Sequence, residues 1–160
     1  MKRNRKIIKM AHKKAMNGHS TEVKDIFRLV DEFGRTTAHM LAKNGWITGW
    51  KTDDKEILKL VDVWGRSVAH ELASNRWITD DKEILKLVDI WGRSVAHEQA
   101  KNGWVTGWKT DDKEILSLAD DRGRTVAHEL ASYGWITGWT TEDKEILKLV
   151  DIWGRSVAHE

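Results

Sequence analysis

One stretch of twelve residues, 62–73 (DVWGRSVAHELA), returns along the whole chain and decides its fold. Further copies begin at Asp31, Asp89, Asp120 and Asp151. A degenerate copy of its Ala-His pair lies at residues 11–12, and successive Ala-His pairs are 27, 31, 27, 31 and 31 residues apart. Self-similarity at such a period indicates a repeat architecture, so the repeat, not the 160-residue chain, is the expected folding unit.

Each copy reads as a tight turn followed by two helices. Asp62 and Gly65 favour the turn, because Asp bonds to nearby backbone groups and Gly adopts positive φ without steric cost. Ser67 is a predicted helix N-cap, and Thr or Ser takes its place in every other copy. A first helix is expected from residue 68 to about residue 75, with one apolar face formed by Val68, Ala69, Leu72 and Ala73.

The ends of this helix and the start of the next also have sequence signals. A glycine at the C′ position is expected to end the first helix, as at Gly45, Gly103 and Gly134. Arg76 stands there in one copy and predicts a less comfortable end. Thr52 or Asp53 is the predicted N-cap of the second helix, with Glu56 completing a capping box. Its expected buried face consists of Ile57, Leu58, Leu60 and Val61.

These patterns predict an all-α stack of about five to six short helix–turn–helix repeats of 27 or 31 residues, forming one array over residues 1–160. A basic tail and degenerate capping repeat (1–30) come first, and half a repeat (151–160) comes last. The full repeats are 31–61, 62–88, 89–119 and 120–150. The longer ones carry an insert between their helices, at 49–52, 107–110 and 138–141.

Composition narrows the class of protein further. The chain has no Pro and no Cys, so it forms no disulfides, which fits a reducing compartment. No apolar run reaches the roughly 18 residues that span a bilayer, and the start lacks a signal-peptide core, so a cytoplasmic protein is expected. Residues 1–20 carry seven basic and no acidic side chains. This segment is interpreted as a capping helix or as a basic arm for an anionic partner.

In residues 62–73, the pattern Asp-x-x-Gly-Arg-Ser-Val-Ala-His-x-x-Ala resembles an ankyrin repeat, and residues 83–87 resemble the second helix of that family. The resemblance covers residues 10–160 and is to the short, Gly-Trp-rich ankyrin-like repeats of bacterial and phage proteins. Val or Thr replaces the family's Pro, and the segment before each Asp is too short for the long β-hairpin finger. The resemblance implies an ankyrin-like solenoid without fingers and a non-catalytic function in protein–protein interaction.

The histidines of the Ala-His pairs form a column, at residues 39, 70, 97, 128 and 159. Imidazole is a common metal ligand, but one repeat in a helical stack spans about 10 Å. That distance is too large for neighbours to share an ion bound at about 2 Å, so we expect no metal. The resemblance implies a structural role for these histidines, bonding near the N-cap and joining neighbouring repeats.

The ten tryptophans fall into three classes. Trp46, Trp77, Trp104 and Trp135 recur at the start of every inter-helix loop and are interpreted as packing residues. The tryptophans that lie only in the inserts, Trp50, Trp108 and Trp139, are interpreted as loop anchors or partner contacts. A third class lies in the turns: Trp64, Trp91 and Trp153.

Each turn tryptophan is followed two residues later by an arginine: Arg66, Arg93 and Arg155. Trp and Arg are enriched at binding hot spots, so the turn pairs are candidate partner contacts, together with the outward residues Glu71 and Asn75. Alternatively, each Arg pairs with its turn Asp, as in Asp62 with Arg66, or stacks on a Trp of a neighbouring repeat.

Together these features predict a scaffold that binds a protein partner, as an adaptor or as an inhibitor of its target. One alternative is a helical repeat that binds nucleic acid through its Trp and Arg columns and basic N-terminus. Another is a structural subunit that self-associates through the array ends. No nucleophile elbow or phosphate-binding Gly loop occurs, so neither an enzyme nor a cofactor is expected.

Overall fold

Helices of one or two turns, joined by tight turns, make up the described part of the protein. The structure is a computed structural model that describes residues 7, 9–11, 13, 24–45, 54–102, 112–134 and 144–159. Within these ranges there are helices and isolated bridges but no strand, so the expected all-α class is confirmed. The chain divides into two compact units, residues 1–75 and 76–160. No helix in the described ranges has the length and apolarity needed to cross a membrane.

The first unit contains four described helices: α1 (Lys24–Phe27), α2 (Thr37–Lys43), α3 (Lys55–Leu58) and α4 (Val68–Ser74). The one-turn helices α1 and α3 each pack on the two-turn helix that follows, and α2 packs on α4. Side chains from all four are buried, including Phe27, Leu41, Ile57 and Leu72. Residues 7, 9–11 and 13 are also helical.

The second unit repeats this alternation. It contains α5 (Lys82–Leu85), α6 (Val95–Lys101), α7 (Lys113–Leu116), α8 (Val126–Ser132), α9 (Lys144–Leu147) and a 3₁₀ helix, Val157–His159. Helix α6 packs on α8, and α8 packs on the 3₁₀ helix. One core position departs from the pattern: Gln99 is fully buried where Leu72 and Leu130 stand in other copies. Its side-chain amide donates to the carbonyl of Trp77, 3.4 Å away.

An aspartate organises every described turn. Asp62 Oδ1 accepts the backbone N–H groups of Trp64 and Arg66, each at 2.9 Å. The backbone N–H of Asp62 donates to the carbonyl of Arg66 at 3.0 Å, and a single antiparallel bridge joins Val61 to Ser67. The same bonds recur at Asp31, Asp89, Asp120 and Asp151. The turn is therefore fixed by one side chain and one bridge.

The predicted N-caps of the two-turn helices are confirmed. Ser67 Oγ accepts the backbone N–H of His70, and His70 Nδ1 accepts the N–H of Ser67 at 3.1 Å. This is a capping box with His at the third helical position. Thr36, Ser94 and Thr125 cap the equivalent helices in the same way.

The expected helix ends hold where the structure describes them. Gly45 and Gly134 have φ values of 72° and 68°, which is the left-handed conformation predicted for C′ glycines. Arg76 adopts φ 75° at the same place, and is the non-glycine residue with positive φ in the described ranges. The less comfortable end predicted there is therefore real backbone strain. Gly103 lies outside the described residues.

The prediction for the second helices was wrong in two respects. Asp54, not Thr52 or Asp53, caps α3, and its side chain accepts the N–H of Ile57. Glu56 is then the second helical residue, one place short of a capping box. Val61 is 55% exposed, not buried, because the helix ends at Leu58 and Val61 enters the turn bridge. Leu60 also lies beyond the end of this helix, and its carbonyl accepts the N–H of Val68 at 3.0 Å.

Candidate binding groove

The sequence-predicted site residues fall into three groups. Trp64, Arg66, Glu71 and Asn75 belong to the first unit. Trp91, Arg93, Trp153 and Arg155 belong to the second unit, where they line one groove. The insert residues Trp50, Trp108 and Trp139 lie outside the described residues, as do the loop residues Trp46, Trp104 and Trp135.

Backbone hydrogen bonds stack the turns of the second unit on one another. The carbonyl of Trp91 accepts the N–H of Asp121, and the carbonyl of Arg122 accepts the N–H of Ile152, both at 3.0 Å. These bonds place Trp91, Arg122 and Trp153 at equivalent positions of three successive turns. In the first unit the same bond joins Phe33 to Val63, and the rings of Phe33 and Trp64 stack at 5.9 Å.

The groove of the second unit lies between these turns and the outward face of α6 and α8. Its volume is about 860 Å³. The turn side supplies Trp91, Arg122 and Trp153, and the helix side supplies Glu98, Lys101, Glu129 and Tyr133. Trp91 and Trp153 are 45% and 58% exposed, so both rings present apolar surface to solvent.

Two groove arginines pair with the aspartates of their own turns. Arg93 lies 2.6 Å from Asp89 Oδ2, and Arg155 lies 2.6 Å from Asp151 Oδ2, as the salt-bridge alternative predicted. Burial raises the pKa of Asp151, but hydrogen bonds from Arg155 and Trp153 outweigh it and lower that pKa below its usual value. The Asp151 carboxylate is therefore charged.

The same arginines also lie over the aromatic rings of their turns. The guanidinium of Arg93 is 4.7 Å from the Trp91 ring centroid, and that of Arg155 is 5.0 Å from the Trp153 centroid. Arg35 lies over Phe33 in the same manner, at 4.9 Å. These cation–π contacts form within one turn, whereas the sequence predicted them between repeats. Each pair thus presents one compact aromatic and cationic element.

Arg66 and Arg124 reach the following helix. Arg66 Nε lies 3.2 Å from Glu71 Oε1 and its guanidinium donates to Ser74 Oγ at 3.3 Å. Arg124 contacts Glu129 and Ser132 at 3.2 and 2.8 Å. In the copies of Arg35 and Arg93 a lysine replaces that serine, and both arginines pair with their turn aspartates.

The two outward residues proposed as partner contacts in the first unit have structural partners. Glu71 pairs with Arg66, and both side chains are about 20% exposed. Asn75 Nδ2 lies within hydrogen-bond distance of the carbonyls of Ala42 (3.1 Å), Lys43 (3.0 Å) and Glu71 (2.9 Å). Asn75 thus bonds carbonyl groups at the ends of both α2 and α4.

The groove also contains residues that the sequence prediction missed. Arg122, Lys101 and Tyr133 line it, and all three are exposed. Two of them depart from the repeat pattern, since Arg122 replaces a turn aromatic and Tyr133 an asparagine, whereas the position of Lys101 is lysine or serine in the other copies. A comparison of the copies position by position would have identified Arg122 and Tyr133.

The histidine column is structural where its contacts are described. His39 and His97 bond their N-cap residues through Nδ1 and the carbonyls of Arg66 and Arg124 through Nε2. Burial lowers the pKa of both imidazoles, although the carbonyl bonds oppose this. Within the described ranges, no group of three or more His, Cys, Asp or Glu could hold a metal ion.

Comparison with protein-family models and with curated proteins provides no relative from which function could be transferred. No protein-family model matches the chain, and no curated protein matches it. Its function must therefore be inferred from the groove itself.

Proposed function

We propose that the chain is a non-catalytic scaffold that binds a protein partner in the groove of residues 76–160, as an adaptor or as an inhibitor. The observation that carries this proposal is the placement of Trp91 and Trp153, half-exposed, along one side of a groove of about 860 Å³. Exposed Trp and Arg at a concave surface are the side chains that dominate protein–protein binding energies.

The groove is built on fixed supports. Trp91 and Trp153 sit in turns whose backbones are bonded by Asp89 and Asp151, and backbone bonds join neighbouring turns. Side chains held in this way lose little conformational entropy when a partner binds, so more of the contact energy appears as affinity. The fixed backbone of these turns therefore makes them better suited to binding a partner than a mobile loop would be.

The fold that we propose is an ankyrin-like solenoid with abbreviated fingers. The support is local: a two-turn and a one-turn helix per copy, a turn closed by one bridge, and a Ser or Thr cap bonded to His. Turns that stack edge to edge within a unit would place their third residues on a common side of that unit, where ankyrin-like proteins contact partners.

Affinity capture from a lysate with matched variants tests the scaffold function. We expect a discrete protein to be retained by the unmodified chain and lost from a Trp91→Ala, Trp153→Ala double variant. Ile90→Ala is the control, because Ile90 is exposed in the same turn as Trp91 but does not line the groove. Circular dichroism verifies that each variant is folded.

Two results would contradict the proposal. The first is an identical set of retained proteins for all variants, which would show that the groove takes no part in binding. The second is loss of all retained protein after nuclease treatment, which would indicate nucleic acid as the direct ligand. Self-association is a separate possibility, because it would occur without any partner. Light scattering of the purified chain detects it by measuring the oligomeric state.

A further inference from the structure

We infer that the groove of residues 76–160 reads an acidic, extended peptide segment with a carboxylate between two apolar or aromatic side chains. This inference rests on the proposed scaffold function and specifies the chemistry of its partner. It follows from which charges of the groove face solvent.

At the groove, the carboxylates that pair with Arg93 and Arg155 are buried, whereas these two guanidinium groups reach solvent. The Asp89 and Asp151 carboxylates beneath it are 0% exposed, whereas their partners Arg93 and Arg155 are 34% and 46% exposed. Glu98 is buried, and Glu129 is paired with Arg124. A ligand therefore meets guanidinium groups, and the counter-charges that hold them lie on the far side.

Two further cations of the groove have no side-chain partner among the described residues. Arg122 and Lys101 are exposed, and the described residues provide neither side chain with an ion pair, a side-chain hydrogen bond or a ring contact. Asp121 is the exposed acid of the described groove lining. Among the groove-lining residues, three exposed cations (Lys101, Arg122 and Arg155) stand against one exposed anion, and the partly exposed Asp120 accepts backbone N–H groups of its own turn, which favours a ligand that carries negative charge.

The position of Arg122 gives the order of groups in the ligand. It occupies the place of the turn aromatic between the turns of Trp91 and Trp153. Neighbouring repeats are about 10 Å apart, and an extended peptide in the polyproline II conformation advances about 3.1 Å per residue with three residues per turn, so that every third side chain lies on the same face. A carboxylate opposite Arg122 would thus have an apolar side chain about three residues to each side, opposite the two tryptophans.

A peptide fits this surface better than a nucleic acid. Residues 76–160 contain 12 basic and 16 acidic side chains, a net charge of −4, which opposes a long polyanion. A short segment with its charge confined to the centre meets mainly the exposed cations of the groove and avoids most of the acidic residues elsewhere in this unit. The tryptophans are then available for its apolar side chains instead of stacked bases.

Fluorescence anisotropy with the full chain tests this inference. The probe is a labelled peptide with one Glu and a Phe three residues to each side of it, in a Gly-Ser background. We expect it to bind more tightly than the same peptide with Gln in place of Glu, by about tenfold or more, because hydrogen bonds to charged groups are the strong ones. Binding should weaken as salt is raised.

Matched variants locate the effect. Arg122→Glu should abolish binding, whereas Lys148→Glu, the same charge change at an exposed lysine outside the groove lining, should leave it unchanged. Asp121→Asn should tighten it by removing the exposed acid. Equal affinity for the Glu and Gln peptides, or equal effects of the two charge reversals, would overturn the inference.

Failure of this inference is distinguishable from failure of the proposed function. If the acidic peptide does not bind but the tryptophan double variant still loses a captured protein, the groove is a protein site with another preference. Tighter binding of a labelled oligothymidylate than of the acidic peptide would overturn the inference in favour of nucleic acid. Loss of peptide binding in each of the variants Trp91→Ala and Arg122→Glu would support the inferred order of apolar, acidic and apolar side chains in the ligand.

Discussion

The Nε2 atom of His39 lies 3.0 Å from the carbonyl oxygen of Arg66, 27 residues further along the chain. Its Nδ1 atom accepts the N–H of Thr36 at 3.1 Å. One ring nitrogen must therefore donate and the other accept, which assigns a neutral imidazole with its proton on Nε2. The same 3.0 Å bond joins His97 to Arg124 and His128 to Arg155 in the second unit. Each such histidine ties a helix start to the next turn.

Stability should depend on pH through His39 and His97. Burial lowers their pKa values in the folded protein below the ordinary value of 6.5. The unfolded chain therefore takes up protons first as the pH falls. The free energy of unfolding should be constant above about pH 7.5 and decrease as the pH drops through about 6.5. Urea denaturation at pH values between about 5 and 8 measures this dependence.

Asp31 titrates in a different pH range from the histidines. Burial raises the pKa of Asp31, but hydrogen bonds from Arg35 and Phe33 lower it overall from 3.8, so its contribution is lost only in stronger acid. The decrease near neutral pH is thus specific to histidine, and His97→Gln should reduce its slope. A urea midpoint that is unchanged from pH 8 to pH 5 would contradict neutral, buried imidazoles.

Thr37→Val should stabilise the protein. Thr37 is 1% exposed, and its hydroxyl oxygen has no hydrogen-bond partner among the described residues. Valine has nearly the same shape and occupies this position at Val68, Val95 and Val126. Removing the unsatisfied hydroxyl should raise the free energy of unfolding by about 1 kcal/mol. Urea denaturation measures the change, and the reverse substitution Val95→Thr should lower stability by a similar or larger amount.

Two turn glycines separate backbone conformation from crowding. Gly92 and Gly154 have φ values of 72° and 75°, so Ala strains both turns by about 1–2 kcal/mol. A Cβ on Gly92 would also lie 2.9 Å from the backbone nitrogen of Asp121, whereas nothing lies within 4 Å of one on Gly154. Gly92→Ala should therefore cost about 1–3 kcal/mol more than Gly154→Ala in thermal or urea unfolding. Equal losses of stability in the two variants would show that the stacked turns accommodate the added Cβ atom at little energetic cost.

Much of the fold is predictable because its turns, helix caps and first helices depend on residues that are close together in the sequence. The Asp62 turn, the Ser67 cap and the Val68 helix follow from residues within a dozen positions of one another, and each recurs in the sequence. The end of the second helix was not predictable in this way. Val61 continues an apolar pattern, but its backbone pairs with Ser67 across the turn, and that bridge removes it from the helix.

The candidate site was predictable only in part, because the groove depends on contacts between repeats. Trp91 and Trp153 stand out in the sequence as turn aromatics. The importance of Arg122 appears only when backbone bonds place it between them. Nor does the sequence of one copy show that Arg66 contacts Glu71 while Arg93 contacts Asp89.

Arg66 forms an ion pair whose coupling energy can be measured. Its ion pair with Glu71 is about 20% exposed on both sides, whereas the Arg28–Glu56 pair is 47% and 81% exposed. A double-mutant cycle to Ala should give a coupling of about 0.5–1 kcal/mol for Arg66 with Glu71. The coupling between Arg28 and Glu56 should be smaller and should vanish in high salt. Equal couplings would mean that solvent screens both pairs alike.

Arg76→Gly should stabilise the end of α4. Arg76 adopts φ 75°, where Gly45 and Gly134 adopt 72° and 68° in other copies. A side chain in this left-handed conformation costs about 1–2 kcal/mol, and glycine removes that cost. Arg76→Ala is the control, because it removes the same side-chain interactions but keeps a Cβ on the strained backbone. Glycine should exceed alanine by about 1 kcal/mol in the free energy of unfolding, and the reverse substitution Gly134→Arg should be destabilising. If the glycine and alanine variants unfold at the same urea concentration, the backbone at residue 76 relaxes without cost, and the difference between this repeat and the others has another origin.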